Sequence, residues 1–360
     1  MFLVTLLVFI VILSLLVLVH ELGHFLAAKI AGVKVEEFGL GFPPKLYRRK
    51  IGETVFSLNL IPFGGFVKLL GLEEADKSQH SFSQKSPWQR AIILVSGILM
   101  NLVLAIVIFT IGFSIGMTPL IKPASEYSPN VKNEILITEV LENSPAQKSG
   151  LIAGETVLSG KDQSGWQDFS TIAQFQDFTK KNQGQEVTLR LKEDGTTQEK
   201  AVQLSSGEAP LGVGLAEIGL VKIRPDKAFI AACKEVWALI VLIILFLYDF
   251  FKLLFVHGRL SQEVGGPVAI FSYTSAAIKF GLNAILQFVG LLTINLALLN
   301  ILPFPALDGG KLLFVALEMG FRKKVVRMEV ENIIHLIGLI LLILLFVIIT
   351  YRDIIRIVIR

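Results

Sequence analysis

The chain has 360 residues, 53% of them hydrophobic and 18% charged, which is too apolar for an ordinary soluble protein. That length accommodates a few membrane spans and one soluble domain of about 100 residues. The formal charge of +4 comes without a long Lys/Arg run, which argues against a nucleic-acid partner, and the one cysteine, Cys233, excludes an intramolecular disulfide and a cysteine metal site.

The first apolar stretch, Met1 to about Ala28, lacks the basic n-region and small-x-small cleavage site of a signal peptide and reads as a retained span. Near its end stands "HELGH", His20-Glu21-Leu22-Gly23-His24. On a helix, positions i and i+4 share a face, so His20 and His24 can grip one metal while Glu21 lies where it can take a proton from water. Charge at the centre of a span costs on the order of 2.5–3.5 kcal/mol, so such groups need a partner, and a zinc ion supplies one. Lys29 marks the interface, which puts His24 about 7 Å below it.

The next segment, "EEFGLGFPPKLYRRK", offers Phe38, Phe42 and Tyr47 as interfacial anchors. Beside it, "TVFSLNL" and "GFVKLLG" read as two strands joined around Pro62-Phe63-Gly64-Gly65. The hairpin so formed would have a free edge, Gly64, Gly65, Phe66, Val67 and Lys68, able to take an extended substrate as an added strand. A substrate span needs such help because its carbonyls are engaged in helical hydrogen bonds. The second span is expected over about Ala91 to Met117.

From about Glu126 to Leu220, short β-like runs alternate with Gly, Asn and Asp turns, describing a small α+β domain. Its helix is expected in "DFSTIAQFQDFTKKN", where Phe169, Ile172, Phe175 and Phe178 recur at helical spacing. The glycine-rich "PLGVGL", Pro210 to Leu215, lies late in this domain. The following apolar segment, about Ala231 to Val256, carries Tyr248, Asp249 and Lys252 and is expected to be an interfacial or re-entrant helix. "GGPVAI", Gly265 to Ile270, points to close helix packing, and two further spans are expected over roughly Ile285 to Leu302 and Ile333 to Ile349.

Between those last spans comes "NILPFPALDGGKLL". Pro303 and Pro305 break the helix, Gly309 and Gly310 permit close approach, and irregular chain at membrane depth implies a site. Asp308 is the one carboxylate there, and two roles are open to it: third metal ligand, or N-cap of the helix that follows. His80 and His335 have no evident metal-site context, and His257 ends the preceding helix.

Ten Lys/Arg between Lys29 and Arg90, and five between Lys311 and Arg327, place both connections in the cytoplasm and the β-domain outside. Arg352, Arg356 and Arg360, which would then lie outside, pull the other way.

"HELGH" on a first span, "NLIPFGGFVKLLG" soon after and "NILPFPALDGG" on a late span together resemble the site-2 protease family, in its bacterial RseP/RasP-type branch with a PDZ domain. The resemblance covers nearly the whole chain. It implies an intramembrane zinc metalloprotease in which His20, His24 and Asp308 bind one Zn²⁺ and Glu21 is the catalytic base. It also implies that Asn295 and Asn300 contact the substrate backbone, together with the β-segment Gly64 to Lys68. "NSPAQKSGLIAGETVLS" is the stretch most like a PDZ domain; there is room for one copy, which binds peptide ends or excludes bulky substrates.

The expected fold is a polytopic α-helical membrane protein with about four transmembrane helices, a membrane-associated β-hairpin, an interfacial or re-entrant helix and an inserted extracytoplasmic PDZ-like α+β domain. Its parts are residues 1–117, 118–222 and 223–360. The expected substrates are single-span membrane proteins, such as anti-sigma factors or signal-peptide remnants, and the expected location is a bacterial cytoplasmic membrane with the active site near its cytoplasmic face. The competing expectation is a membrane-anchored PDZ adaptor without catalytic activity.

Overall fold

The structure, a computed structural model, describes all residues except Glu73, Ala75, Pro123, Pro129, Asn130, Lys132, Asp194, Gly195, Glu208, 259–264 and 359–360; Arg360 and the side chain of His257 therefore lie outside the described residues. The chain divides into two units, Met1–Thr110 with Ala232–Arg360, and Ile111–Ala231.

Among the described residues, five helices are long and apolar enough to cross a membrane: α1 (Phe2–Ile30), α2 (Pro87–Ile115), α5 (Pro225–His257), α7 (Leu282–Ile301) and α9 (Met328–Val358). Four of them coincide with the expected spans. The fifth, α5, covers the segment expected to be interfacial or re-entrant and is a single 33-residue helix. It contains no glycine and no proline after Pro225, so nothing breaks it and it does not turn back on itself. Two shorter helices belong to the same unit, α6 (Pro267–Phe280) and α8 (Asp308–Phe321).

Two apolar clusters hold this first unit together. Ile12 and Leu16 of α1, Ile108 of α2 and Val289 of α7 form one, joining three helices along their apolar faces. Ala28, Val35, Leu69, Ile93, Leu94 and Val315 belong to the other, which ties the end of α1 to the following sheet, to the start of α2 and to α8. The "HELGH" segment lies between the two. Close approach is secured by Gly23, whose Cβ, if it had one, would stand 2.4 Å from the Ser96 carbonyl oxygen. "GGPVAI" is a packing element, as expected: Gly266 lies against Ile349, and its N–H and that of Ala269 donate to the buried Asp353 carboxylate of α9 at 2.8 and 3.1 Å.

The β-region departs from the expected hairpin. Strand β1 runs Val35–Ile51 and β2 runs Thr54–Leu69, and the register shows Phe38 facing Phe56 on one side and Val67 on the other. "TVFSLNL" and "GFVKLLG" therefore flank the first part of β1 instead of pairing with each other. The turn that makes a hairpin is Ile51 to Thr54, where Gly52 has φ +60° and takes the left-handed conformation a side chain resists. Phe38 and Phe42 thus sit within a strand, and Phe38 packs edge-on against Phe25 of α1. β2 runs alongside α1, and the Ser14 hydroxyl donates to the Pro62 carbonyl at 2.8 Å.

The second unit holds a sheet of order β7-β6-β4-β3-β8, with β5 paired to β4, from β3 (Glu134–Val140), β4 (Thr156–Asp162), β5 (Gly165–Asp168), β6 (Glu186–Glu193), β7 (Thr196–Gln203) and β8 (Val213–Ile218). Helices α3 (Pro145–Lys148) and α4 (Ile172–Lys181) complete it, over a core that includes Ile135, Val157, Phe175, Phe178, Leu189 and Leu191. α4 starts later than the apolar spacing suggests. Thr171 caps it by accepting from the Gln174 N–H, so Phe169 lies before the helix and reaches the same core by packing on Phe175 and Phe178. "PLGVGL" leads into β8, which closes one edge of the sheet.

Candidate metal centre

α1 carries His20 and His24 one turn apart, and both are buried. Asp308 arrives from the other end of the sequence, at the first turn of α8. The break before it is compact because Gly309 lies on the carbonyls of Ile301 and Leu302, where a Cβ would meet oxygen at 2.3 and 2.2 Å. Asp308 does not cap α8: the N-cap position is Leu307, and no side chain caps it. Its carboxylate turns instead to the histidines. The Oδ2 lies 2.9 Å from His20 Nε2 and 3.2 Å from His24 Nε2, and the two Nε2 atoms are 3.1 Å apart.

The outer nitrogens fix what the inner ones offer. His24 Nδ1 lies 2.8 Å from the Ile93 carbonyl, which only accepts, so Nδ1 carries the proton and Nε2 presents a lone pair. His20 Nδ1 faces the amide of Asn101 on α2 at 3.3 Å. With the Asn101 oxygen turned to that nitrogen, His20 takes the same tautomer and the otherwise unpartnered Oδ1 gains a donor. Two imidazole lone pairs and a carboxylate oxygen then converge with no proton among them, an arrangement that repels itself unless a cation sits between. Tetrahedral zinc with ligands at about 2.0–2.1 Å sets its donors roughly 3.3 Å apart, close to the spacing here. Among the described residues these three form a cluster whose donor atoms all lie within 4.8 Å of one another. The donor set fits zinc.

Glu21 lines a cavity of about 210 Å³ with Val17, His20, Leu296, Asn300, Ala306, Leu307 and Asp308. The Val67 N–H faces its carboxylate. A Cβ on Gly65 would stand 3.8 Å from the Glu21 Cγ, so the 65–69 strand passes directly over the candidate base. Asn300 reaches the cluster, with Nδ2 3.5 Å from His20 Nε2. Asn295 does not: its amide donates to Leu291 on its own helix at 3.0 Å, and it is not among the residues lining the cavity. Phe66 packs over Gly39, Gly64 lies against the Phe42 ring, and Lys68 pairs with Glu36 at 3.1 Å, away from the donors.

The sequence argument missed two residues of this centre. Asn101 is fully buried, and Gly97 lies so close to both imidazoles that a Cβ there would meet His24 Nε2 at 2.5 Å. The available signal was an asparagine inside an apolar span, one turn beyond a glycine. Thr293 of α7 donates to the Asn101 carbonyl at 3.3 Å, tying the third helix to this side of the site.

Comparison with known proteins follows the same lines. The profile of peptidase family M50 matches residues 8–345. A Clostridium perfringens protein named "Putative zinc metalloprotease CPE1693" is 34% identical over 347 residues, covering 95% of this chain and 96% of its own. Zinc metalloprotease RasP of Oceanobacillus iheyensis is 28% identical over 441 residues, covering 98% of this chain and 99% of its own. Among solved structures, the PDZ domain of an SdrC-like protein from Listeria monocytogenes covers 23% of this chain and 86% of its own at 17% identity and TM-score 0.20, a likeness too slight to carry an argument.

Proposed function

This chain belongs to peptidase family M50, the site-2 proteases, and from that premise we propose that His20, His24 and Asp308 hold its zinc ion and that Glu21 is its general base. The protein is an intramembrane zinc metalloprotease, an integral membrane enzyme acting on membrane-protein substrates. The single observation that carries the residue assignment is the convergence of Asp308 Oδ2 with the Nε2 atoms of His20 and His24, 288 and 284 positions away in sequence.

Bound there, zinc supplies Lewis acidity toward water and toward the scissile carbonyl. The chain's own groups do the rest. Glu21, in the cavity beside His20, takes the proton of the attacking water and delivers it to the leaving amine. The Asn300 amide, close to His20 Nε2, donates to the substrate backbone. The outer edge of Gly64 to Lys68 receives the substrate as an added strand, which replaces the helical hydrogen bonds lost on local unwinding. Asn295 donates one N–H to Leu291 of its own helix and keeps its other N–H and its oxygen for the substrate backbone.

We further propose four crossings, with residues 118–222 as a single PDZ-like domain inserted between 1–117 and 223–360. α1 and α7 both run toward the donor cluster, so they are parallel, and the chain between them crosses an odd number of times. α2 is one crossing. Were α5 a second, the 14 residues of α6, about 21 Å of helix, would have to return through a core about 30 Å thick. Phe271 of α6 also packs on Phe2 and Phe9 in the first half of α1, far from the donors. These observations favour α5 as an interfacial helix on the β-domain side. The basic connections then face the cytoplasm of a bacterial cell, and single-span proteins, anti-sigma factors or signal-peptide remnants, are the substrates.

The adaptor reading has no use for a carboxylate in the cavity beside two imidazoles. Reconstituting the purified chain with a single-span substrate tests the assignment: zinc-dependent cleavage lost in Glu21→Gln is expected, and cleavage that persists in that variant overturns it.

A further inference from the structure

Outside the donor cluster, one face of the last helix touches the turn that carries Asp308. His335 Nδ1 accepts the Ala306 N–H at 2.8 Å. One turn further along α9, a Cβ at Gly338 would lie 2.6 Å from the Pro305 carbonyl oxygen, so helix and turn meet backbone to backbone. Most of α9 points elsewhere, with Leu336, Ile337, Leu339 and Ile340 all exposed. This stretch of α9 thus commits two residues, His335 and Gly338, to the turn two to three positions before a proposed metal donor.

The turn needs what His335 provides. Ala306 has φ +77°, a left-handed conformation that a residue with a Cβ resists and that persists only where its surroundings enforce it. Within the turn, the Phe304 N–H donates to Leu302 and the Leu307 N–H donates to Phe304. The Ala306 N–H has its acceptor outside the turn, on α9, as an amide at membrane depth must. Because Nδ1 accepts, the ring proton is on Nε2, which stands 4.0 Å from a Glu331 oxygen and makes no hydrogen bond of its own. His335 is therefore engaged with the peptide backbone and not offered to a metal.

We propose that His335 is a positioning residue for the metal centre: by accepting the Ala306 N–H it holds the turn in the conformation that presents Asp308 Oδ2 to His20 and His24. The inference rests on Asp308 being a zinc ligand. Loss of the acceptor lets Ala306 relax toward negative φ and carries the carboxylate away from the imidazoles.

The test compares three variants of the full-length protein in detergent by zinc content and chelator competition. His335→Asn puts an amide oxygen where Nδ1 stands, whereas His335→Gln puts its amide where Nε2 stands. His335→Asn is expected to hold zinc within about threefold of the parent, while His335→Gln and His335→Ala lose about 10–100-fold, the range for residues that orient ligands from behind. Substrate KM is expected to stay constant while kcat falls. Parent-like zinc retention in His335→Gln overturns the proposal, as does a loss in His335→Asn equal to that in His335→Gln; should His335→Ala fail to fold, the Asn and Gln pair still decides. Asp308→Asn run in parallel separates the two ideas. If it keeps parent affinity, the ligand assignment fails; if it loses zinc while His335→Gln does not, the positioning role alone falls.

Discussion

Gly97 of α2 and His24 of α1 meet at a separation that leaves no room for a side chain, since a Cβ at position 97 would lie 2.5 Å from His24 Nε2 and 2.8 Å from His20 Cε1. Both imidazoles are held from behind, His24 by the Ile93 carbonyl, so neither can yield without leaving its donor position. Gly97→Ala is expected to weaken zinc binding by at least about tenfold, in line with other disruptions behind metal ligands, while the helices stay folded. Circular dichroism together with metal analysis checks it; unchanged zinc content would mean that the imidazoles have slack.

Removing the proton acceptor without disturbing the donors should separate chemistry from metal binding. Glu21→Gln keeps the side chain's shape in the cavity, and the expected result is a fall in cleavage of about 10²–10⁴-fold with zinc near one per chain. Loss of zinc in step with activity would make Glu21 part of the metal site instead.

Asn101 offers a sharper discrimination. If its oxygen accepts from His20 Nδ1–H, Asn101→Asp keeps an acceptor there and retains zinc, whereas Asn101→Ala loses affinity by about 10–100-fold. Equal behaviour of the two variants in chelator competition would show that the amide does not set the tautomer of His20.

The strand edge makes its own prediction. Val67 pairs with Phe38 of β1 and its N–H faces the Glu21 carboxylate, so proline at 67 disturbs the segment along which the substrate is proposed to align. Val67→Pro is expected to raise KM several-fold, with kcat falling as well because Glu21 loses that N–H, and with zinc retention unchanged. A pure kcat effect, measured on a reconstituted single-span substrate, would argue that the substrate does not align along this edge.

The chemistry was more legible than its support. "HELGH" announces itself because two histidines at i and i+4 inside an apolar run have few other uses, and the Pro-broken "LPFPALDGG" stands out for the same energetic reason. The sheet was half legible. Strand character along 54–71 shows in the residues, but partner choice depends on β1 inserting between its two halves, a non-local fact that no local pattern carries. α5 was legible as an apolar helix whose full crossing would move the last two connections to the other side; that it runs unbroken for 33 residues, and so is not re-entrant, was not. His335 was set aside for lack of metal-site context. What that judgement missed was a hydrogen bond to a backbone amide 29 positions away, which leaves no trace in either segment's composition.

The bond from Ser14 to the Pro62 carbonyl fixes a length scale for the substrate. Ser14 and Glu21 are seven positions apart on α1, about 10 Å of rise, and an extended chain covers that distance in roughly three residues. A target segment running from the Pro62 carbonyl to Glu21 therefore has to open by less than one turn of helix. One glycine, asparagine or proline near the cut would be enough to recruit a segment, and the flanking turns could remain wound in lipid.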